Sequence, residues 1–319
     1  MRKWLSFGTG VLGWVTLAIA APEPQFPQIE MTLEQVSPHV YYVRGVPGIA
    51  TEHEGFISNA AAVLTSEGWV IVDTLGTPAL GEMFLQRLRK VSDKPVKKVF
   101  VTHYHADHIY GLQVFKALGA EIYAPNEVDN YLASDIAEKR LEERRESLKP
   151  WVNANTRLLR PDHYVKADFS FTLGDTAFQV TQFGSAHSEG DLSVYMKNEK
   201  VLMAGDLVFS GRIPFVGGDD IQRWIAKLDD IARVPASVVV PGHGKAFTDA
   251  AEGTTLTKEY LQLMYTKMQA GVSDLMSFDD AYAAVDWGKF KALPAFEAGN
   301  RRNALRVFTA LEAQSFTKK

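Results

Sequence analysis

The chain has 319 residues, 46% of them hydrophobic and 23% charged, with a formal charge of −4 at pH 7. That composition is globular and sufficient for one large domain or two small ones, and its mild acidity argues against a nucleic-acid partner. The chain has no cysteine, hence no disulfide framework, no thiol nucleophile and no thiolate ligand, so any metal must be held by His, Asp or Glu.

The N-terminus reads as an export signal spanning residues 1–20. Arg2 and Lys3 precede a largely apolar run, Trp4 to Ala20, that closes on the small-residue cleavage pattern Ala18-Ile19-Ala20. A transmembrane anchor fits less well, because Gly8, Gly10 and Gly13 interrupt a run that falls short of the roughly 20 residues a span needs. Cleavage before Ala21 leaves residues 21–319, stripped of two positive charges, as a periplasmic or secreted protein with no stable membrane insertion.

From Val36 the pattern alternates between strands and helices. Val40–Val43 reads as a strand, and Ala60–Leu64 with Trp69–Val72 as a hairpin turned at Ser66-Glu67-Gly68. Pro78 to Val91 has helical periodicity, with Leu80, Phe84, Leu88 and Val91 on one face. Val96–Val101 is a β-rich run, His108 to Leu118 reads as a helix, and a short strand at Glu121–Tyr123 precedes a helix from near Asn126 to about Leu148. The charge run from Glu138 to Glu146 on that helix mixes signs and reads as a solvated face. Strands follow near Phe178–Phe183, Leu192–Met196, Val201–Ala204 and Ser237–Val240, with a helix at Ile221–Ile231 between the last two. From about residue 245 the chain is helical, a C-terminal extension of the same domain. Two β-rich halves, each followed by helices, predict an α/β sandwich with helices outside.

The stretch Thr102-His103-Tyr104-His105-Ala106-Asp107-His108 holds three of the chain's eight histidines. H-x-H-x-D-H arises by chance about three times in ten thousand such chains. His103 and His105 are two apart on an extended segment and point the same way. Asp107 and His108 come after the chain turns into a helix and face a neighbouring point. One stretch thus serves two adjacent cations, and imidazole with carboxylate suits zinc, and also iron or manganese. Four ligands cannot fill two sites. Three more candidates sit at Gly-flanked strand ends: His187 in the Gly184–Asp191 stretch, Asp206 after Ala204-Gly205, and His243 in Pro241-Gly242-His243-Gly244.

With these seven residues in this order, the chain resembles the metallo-β-lactamase-fold hydrolases over roughly residues 35 to 250. The resemblance implies an αββα sandwich with a dinuclear site, two zinc ions per chain, at the edge where the sheets meet. It implies that His103, His105 and His187 hold the first metal, that Asp107, His108 and His243 hold the second, and that Asp206 bridges them. Asp73, in Val70-Ile71-Val72-Asp73-Thr74, matches a position that supports the metal loop from behind. Asp206 and the lack of cysteine make the ligand set similar to that of glyoxalase II. The segments around Gly205–Phe215 and Asn300–Asn303, with the export signal, look most like SoxH-type periplasmic metallohydrolases of sulfur-oxidation or quinoprotein systems.

The implied chemistry is attack by a metal-activated hydroxide on an ester, thioester, lactone or amide of a small molecule, with Asp107 orienting it and relaying a proton. Arg212 and His53 are the candidate substrate contacts. Two rivals share the ligand pattern: a mononuclear iron oxidoreductase resembling persulfide dioxygenases, and a metal-binding protein without turnover. The sequence sets no oligomeric state.

Overall fold

The structure, a computed structural model, describes residues 26–217 and 220–317. The export signal read at residues 1–20 lies outside them. The first half forms a seven-stranded sheet in chain order: β1 (Leu33–Ser37), β2 (Val40–Val43), β3 (Ala60–Leu64), β4 (Trp69–Val72), β5 (Val96–Phe100), β6 (Glu121–Pro125) and β7 (His163–Val165). Pairing is antiparallel from β1 to β4 and parallel from β4 to β7. The connections contain α1 (Pro78–Arg89), α2 (Ala106–Ile109), α3 (Leu112–Ala117), α4 (Val128–Leu132) and α5 (Asp135–Ser147). The second half is a five-stranded sheet of β8 (Phe169–Leu173), β9 (Thr176–Gly184), β10 (Asp191–Met196), β11 (Val201–Phe209) and β12 (Val238–His243), ordered β12-β11-β10-β9-β8. Its helices are α6 (Ile221–Ala232), α7 (Ala250–Ser273), α8 (Phe278–Ala283) and α9 (Phe296–Thr317).

Side-chain alternation along the strands sorts the core into three layers. Ala61, Val63, Val70 and Val72 meet Leu192, Val194, Val201 and Met203 between the sheets. On the outer face of the first sheet, Ala60, Ala62, Trp69 and Ile71 pack with Leu80, Phe84 and Leu88 of α1. On the outer face of the second, Leu202, Ala204 and Val239 pack with Trp224 and Leu228 of α6 and Leu261 and Met264 of α7. The result is the expected αββα sandwich, and each fully buried Leu or Phe contributes about 1.5–3 kcal/mol to it. The C-terminal helices form part of the outer layer over β11.

Several boundaries differ from the sequence reading. Helix α1 is capped at Lys90, and Val91, expected on its buried face, is 41% exposed. The helix expected from His108 to Leu118 breaks at Tyr110-Gly111. There the Gly111 N–H bonds Leu75 O, and the chain passes so close that a Cβ at Gly111 would lie 1.9 Å from Thr74 O. The helix expected from Asn126 to Leu148 is two, interrupted where Ser134 takes an extended conformation and its hydroxyl donates to Tyr131 O. Strand β11 continues beyond Ala204 to Phe209, so Asp206 lies within the strand rather than after it. A register shift at Gly205, whose φ is +56°, re-aims the chain there.

Candidate metal centre

All seven expected ligands meet where the two sheets converge. His103 and His105 leave the end of β5, Asp107 and His108 occupy α2, His187 sits on the β9–β10 loop, Asp206 on β11, and His243 ends β12. Around one point, His105 Nδ1 lies 3.0 Å from His103 Nε2 and 2.9 Å from His187 Nε2, and His187 Nε2 lies 3.2 Å from Asp206 Oδ2. Around a second, His243 Nε2 is 3.3 Å from Asp107 Oδ2, and His108 Nε2 is 3.7 Å from the same oxygen. Asp206 faces both: its Oδ1 is 3.1 Å from His108 Nε2, while its Oδ2 is 3.3 Å from His243 Nε2 and 3.7 Å from His103 Nε2.

These spacings fit cations. A tetrahedral ion about 2.0–2.1 Å from each nitrogen sets its ligand atoms ~3.3 Å apart. His108 Nε2 and Asp206 Oδ1 are buried and close, yet neither has a hydrogen-bond partner among the described residues. Buried atoms of this kind call for a partner, and a divalent cation between them supplies one. Five imidazoles and two carboxylates, without sulfur, are a donor set for zinc, iron or manganese.

The surrounding hydrogen bonds select the ring nitrogen that His103, His108 and His243 offer. Asp73, just beyond β4 with φ +62°, accepts from Thr102 N and Thr102 Oγ1, both at 2.8 Å, and from His108 Nδ1 at 2.9 Å. This leaves His108 Nε2 free. The Thr102 hydroxyl, having given its proton to Asp73, accepts from His103 Nδ1 at 3.0 Å and frees His103 Nε2. His243 Nδ1 donates to Ile57 O at 2.6 Å, which points Nε2 into the site. The expected supporting role of Asp73 thus has a geometry reaching two ligands.

Burial holds His105 down to about 4 and His187 to about 3, against the pull of Asp206, and holds His103 well below the usual histidine range. All three imidazoles are thereby held neutral at pH 7, the form that can ligate a cation. Burial is the largest influence on His108 and His243 and lowers both, but the neighbouring carboxylates together reverse it, Asp206 with Asp73 and Asp107 at His108 and Asp206 with Asp107 at His243, so both are raised. For Asp206 and Asp107, burial alone would raise the carboxyls; the neighbouring His108 and His243 reverse this and hold both below the usual carboxylate range.

Arg212 is 6% exposed, with Nη1 3.2 Å from His243 Nδ1. Since that nitrogen already donates to Ile57, the guanidinium lies against the ring as a charge rather than as a hydrogen-bond donor. Phe209 stacks on the other ligand surface, its ring 5.0 Å from that of His243 with an interplanar angle of 6°. His53 is not in the ligand cluster; its imidazole packs against Gly48, at the end of a short 3-10 turn.

Other contributors were not assigned to the site by the sequence. Asp191 accepts from Ala186 N, Ser188 N and Ser188 Oγ, caging the loop that presents His187. Burial pushes its carboxyl up to about 7 against those three donors. The Ser58 hydroxyl donates to Asp107 O, and Asn59 Nδ2 donates to Pro241 O and Gly244 O at 2.8 Å each, on either side of His243. Asn303 on α9 accepts from Val216 N at 3.1 Å and donates to Pro214 O at 2.8 Å. It thereby fixes the 211–217 loop, whose Phe215 ring lies 5.4 Å from that of His105. Asp191, inside the stretch that holds His187, and Asn303, inside the marked Asn300–Asn303 segment, lay in stretches the sequence had singled out, without their roles being legible there.

Asp73→Asn keeps a residue tolerant of positive φ but replaces one acceptor oxygen with a donor. The expected result is a metal affinity about 10–100-fold weaker, read by competition with a chromophoric chelator. Unchanged affinity would remove Asp73 from the support of the ligands.

A family model described as the metallo-β-lactamase superfamily matches residues 53–243. A type 2 metallo-β-lactamase of Elizabethkingia meningoseptica is 28% identical over 214 residues, covering 65% of this chain and 78% of that enzyme. A linear primary-alkylsulfatase of Pseudomonas sp. (strain ATCC 19151) is 24% identical over 211 residues, covering 56% of this chain and 40% of that enzyme. Among solved structures, a metallo-β-lactamase from Pontibacter korlensis superposes with a TM-score of 0.56 at 23% identity, over 73% of this chain and 99% of that one. A stereoselective inverting sec-alkylsulfatase from Pseudomonas sp. superposes with a TM-score of 0.66 at 17% identity, over 89% of this chain and 50% of that one. Residues 1–245 alone could not supply that share, so the C-terminal helical layer takes part in the match.

Proposed function

The chain belongs to the metallo-β-lactamase superfamily, and from that premise we propose that it is a hydrolase holding two zinc ions and cleaving an ester, thioester, lactone or amide of a small molecule. The alkylsulfatase relatives add sulfate esters to the bonds worth testing. The observation that carries the reading is the single carboxylate of Asp206, whose two oxygens face His108 on one side and His187 and His243 on the other. His103, His105 and His187 would hold the first ion, Asp107, His108 and His243 the second, with Asp206 shared. When bound, such a pair supplies a water of lowered pKa and a Lewis acid for the scissile oxygen.

The chain's own residues supply the rest. The Asp107 side chain is 21% exposed, placed to take a proton and pass it to a leaving group. The buried guanidinium of Arg212 puts a fixed positive charge beside the second triad, where it favours negative charge developing on the substrate. We retain His53 as a substrate contact at the rim. We also place the protein outside the cytoplasm, on the export signal read at residues 1–20.

The test is a panel of carboxylic esters, thioesters, lactones, β-lactams and alkyl sulfates on zinc-loaded protein. We expect turnover of at least one class, abolished by chelation and by His103→Ala with His105→Ala. Oxygen uptake with a persulfide, one iron per chain and no hydrolysis would contradict the reading and favour the oxidoreductase.

A further inference from the structure

Two aromatic arms lead outward from His105, the part-exposed ligand on the open side of the cluster. Along one, the Tyr104 ring lies 5.5 Å from that of His105 and stacks on Tyr131 at 4.4 Å and 19°. Along the other, Phe215 lies 5.4 Å from the His105 ring and carries the Arg302 guanidinium 5.1 Å from its own centroid. Arg140 and Arg144 of α5 lie close enough to Tyr131 to act on its phenol. The two arms therefore end on arginines from helices about 160 residues apart in the chain.

These charges are poorly neutralised. In the 138–146 run, Glu138 and Glu142 pair with Arg145, and Glu143 with Arg140 at 3.3 Å. Among the described residues, neither Arg144 nor Arg302 has a carboxylate partner, and Arg306 donates only to Val216 O. Burial, then Arg140, Arg144 and Arg306, depress the Arg302 guanidinium, and the Glu143 carboxylate offsets them only in part. Like charges gathered near the part-exposed His105 cost free energy that a bound anion would offset. The expected solvated face is therefore not uniform: Arg140 and Arg145 are ion-paired along α5, whereas Arg144, one helical turn from Arg140, has no carboxylate partner among the described residues.

We propose that Arg302 and Arg144, with Arg140 beside them and Phe215 as a floor, form a subsite for a carboxylate or similar oxyanion carried by the substrate away from its scissile bond. Such a group, on an apolar body, would lie across Phe215 with the reacting bond over His105 and Asp107. The subsite deepens the hydrolase reading and rests on it. It makes the arginines specificity determinants rather than catalytic residues.

The test uses full-length, zinc-loaded protein with two probes. Naphthalene-2-sulfonate, which is not hydrolysed, is titrated calorimetrically. Mono-(4-nitrophenyl) glutarate is compared with its neutral counterpart, 4-nitrophenyl pentanoate. Arg302→Ala and Arg144→Ala should each weaken sulfonate binding about 10-fold, the loss of one charged contact. They should raise KM for the glutarate similarly with kcat retained, and leave the pentanoate and the zinc content unchanged. Arg301→Ala, on the same helix but paired with Asp279, should change none of these. Absence of sulfonate binding, binding insensitive to Arg302→Ala, or an equal loss in Arg301→Ala would each overturn the subsite. If neither ester turns over, a sulfonate affinity that falls only in Arg302→Ala and Arg144→Ala still supports it while the hydrolase reading fails.

Discussion

Asp206→Asn is expected to lower kcat/KM by about 10³-fold or more, the kinetic equivalent of ~4 kcal/mol. The residue is 4% exposed, and the Nε2 atoms of His103, His108, His187 and His243 all lie within 3.7 Å of its carboxylate. Asparagine has nearly the same shape, so the fold should survive. It removes the negative charge shared by both triads, however, and its amide nitrogen offers no lone pair to a cation. One face of the site then loses a ligand outright, and the other keeps a weaker neutral one. The variant should bind less than one full complement of zinc, measured on the same sample as the rate. An Asp206→Asn protein with full metal content and wild-type turnover would show that Asp206 bridges nothing.

Gly242→Ala attacks the same carboxylate from the opposite side. A Cβ at position 242 would lie 2.0 Å from Asp206 Oδ1, 2.6 Å from Gly205 C and 2.7 Å from Asp206 N. Two of those three are backbone atoms, so no rotamer change relieves the contact. The segment cannot simply withdraw, because Asn59 N donates to Gly242 O at 2.7 Å while the Asn59 side chain ties Pro241 and Gly244. The expected outcome is a loss of about 1–3 kcal/mol in stability, with zinc content and activity falling together as Asp206 and His243 are pushed from register. Chemical denaturation and metal analysis of the variant check both. A stable Gly242→Ala protein with full zinc content would contradict the placement of the carboxylate against that glycine.

The cluster of candidate ligands was legible because its largest part is local. His103, His105, Asp107 and His108 sit within six positions, and the residue types leave few other uses for them. His187, Asp206 and His243 were legible from glycines at strand ends, although β11 extends further than its apolar run suggested. What lay beyond the sequence depends on contacts between distant segments. The Asn303 clamp on Val216 spans 87 residues, and the carbonyl of Ile57 fixes the tautomer of His243 from 186 residues away. No periodicity announces either. Helix breaks were missed for the same reason: Gly111 interrupts α2–α3 because Thr74 and Gly81 press on it, not because of local propensity. The charge run on α5 was read by composition alone, which separates no ion-paired arginine from an unpaired one. Strand β8 is the exception, since Phe169 and Phe171 alternate with Ser170 and Thr172 and meet Phe100 across the sandwich; that period-2 signal was available.

The most direct test of a paired-metal centre is elemental analysis of protein purified without added metal and again after zinc loading and desalting, counted against chain concentration. A centre bridged by Asp206 predicts two zinc ions per chain in the loaded protein, falling in Asp206→Asn. One iron per chain that zinc neither displaces nor joins, or no retained metal at all, would contradict it.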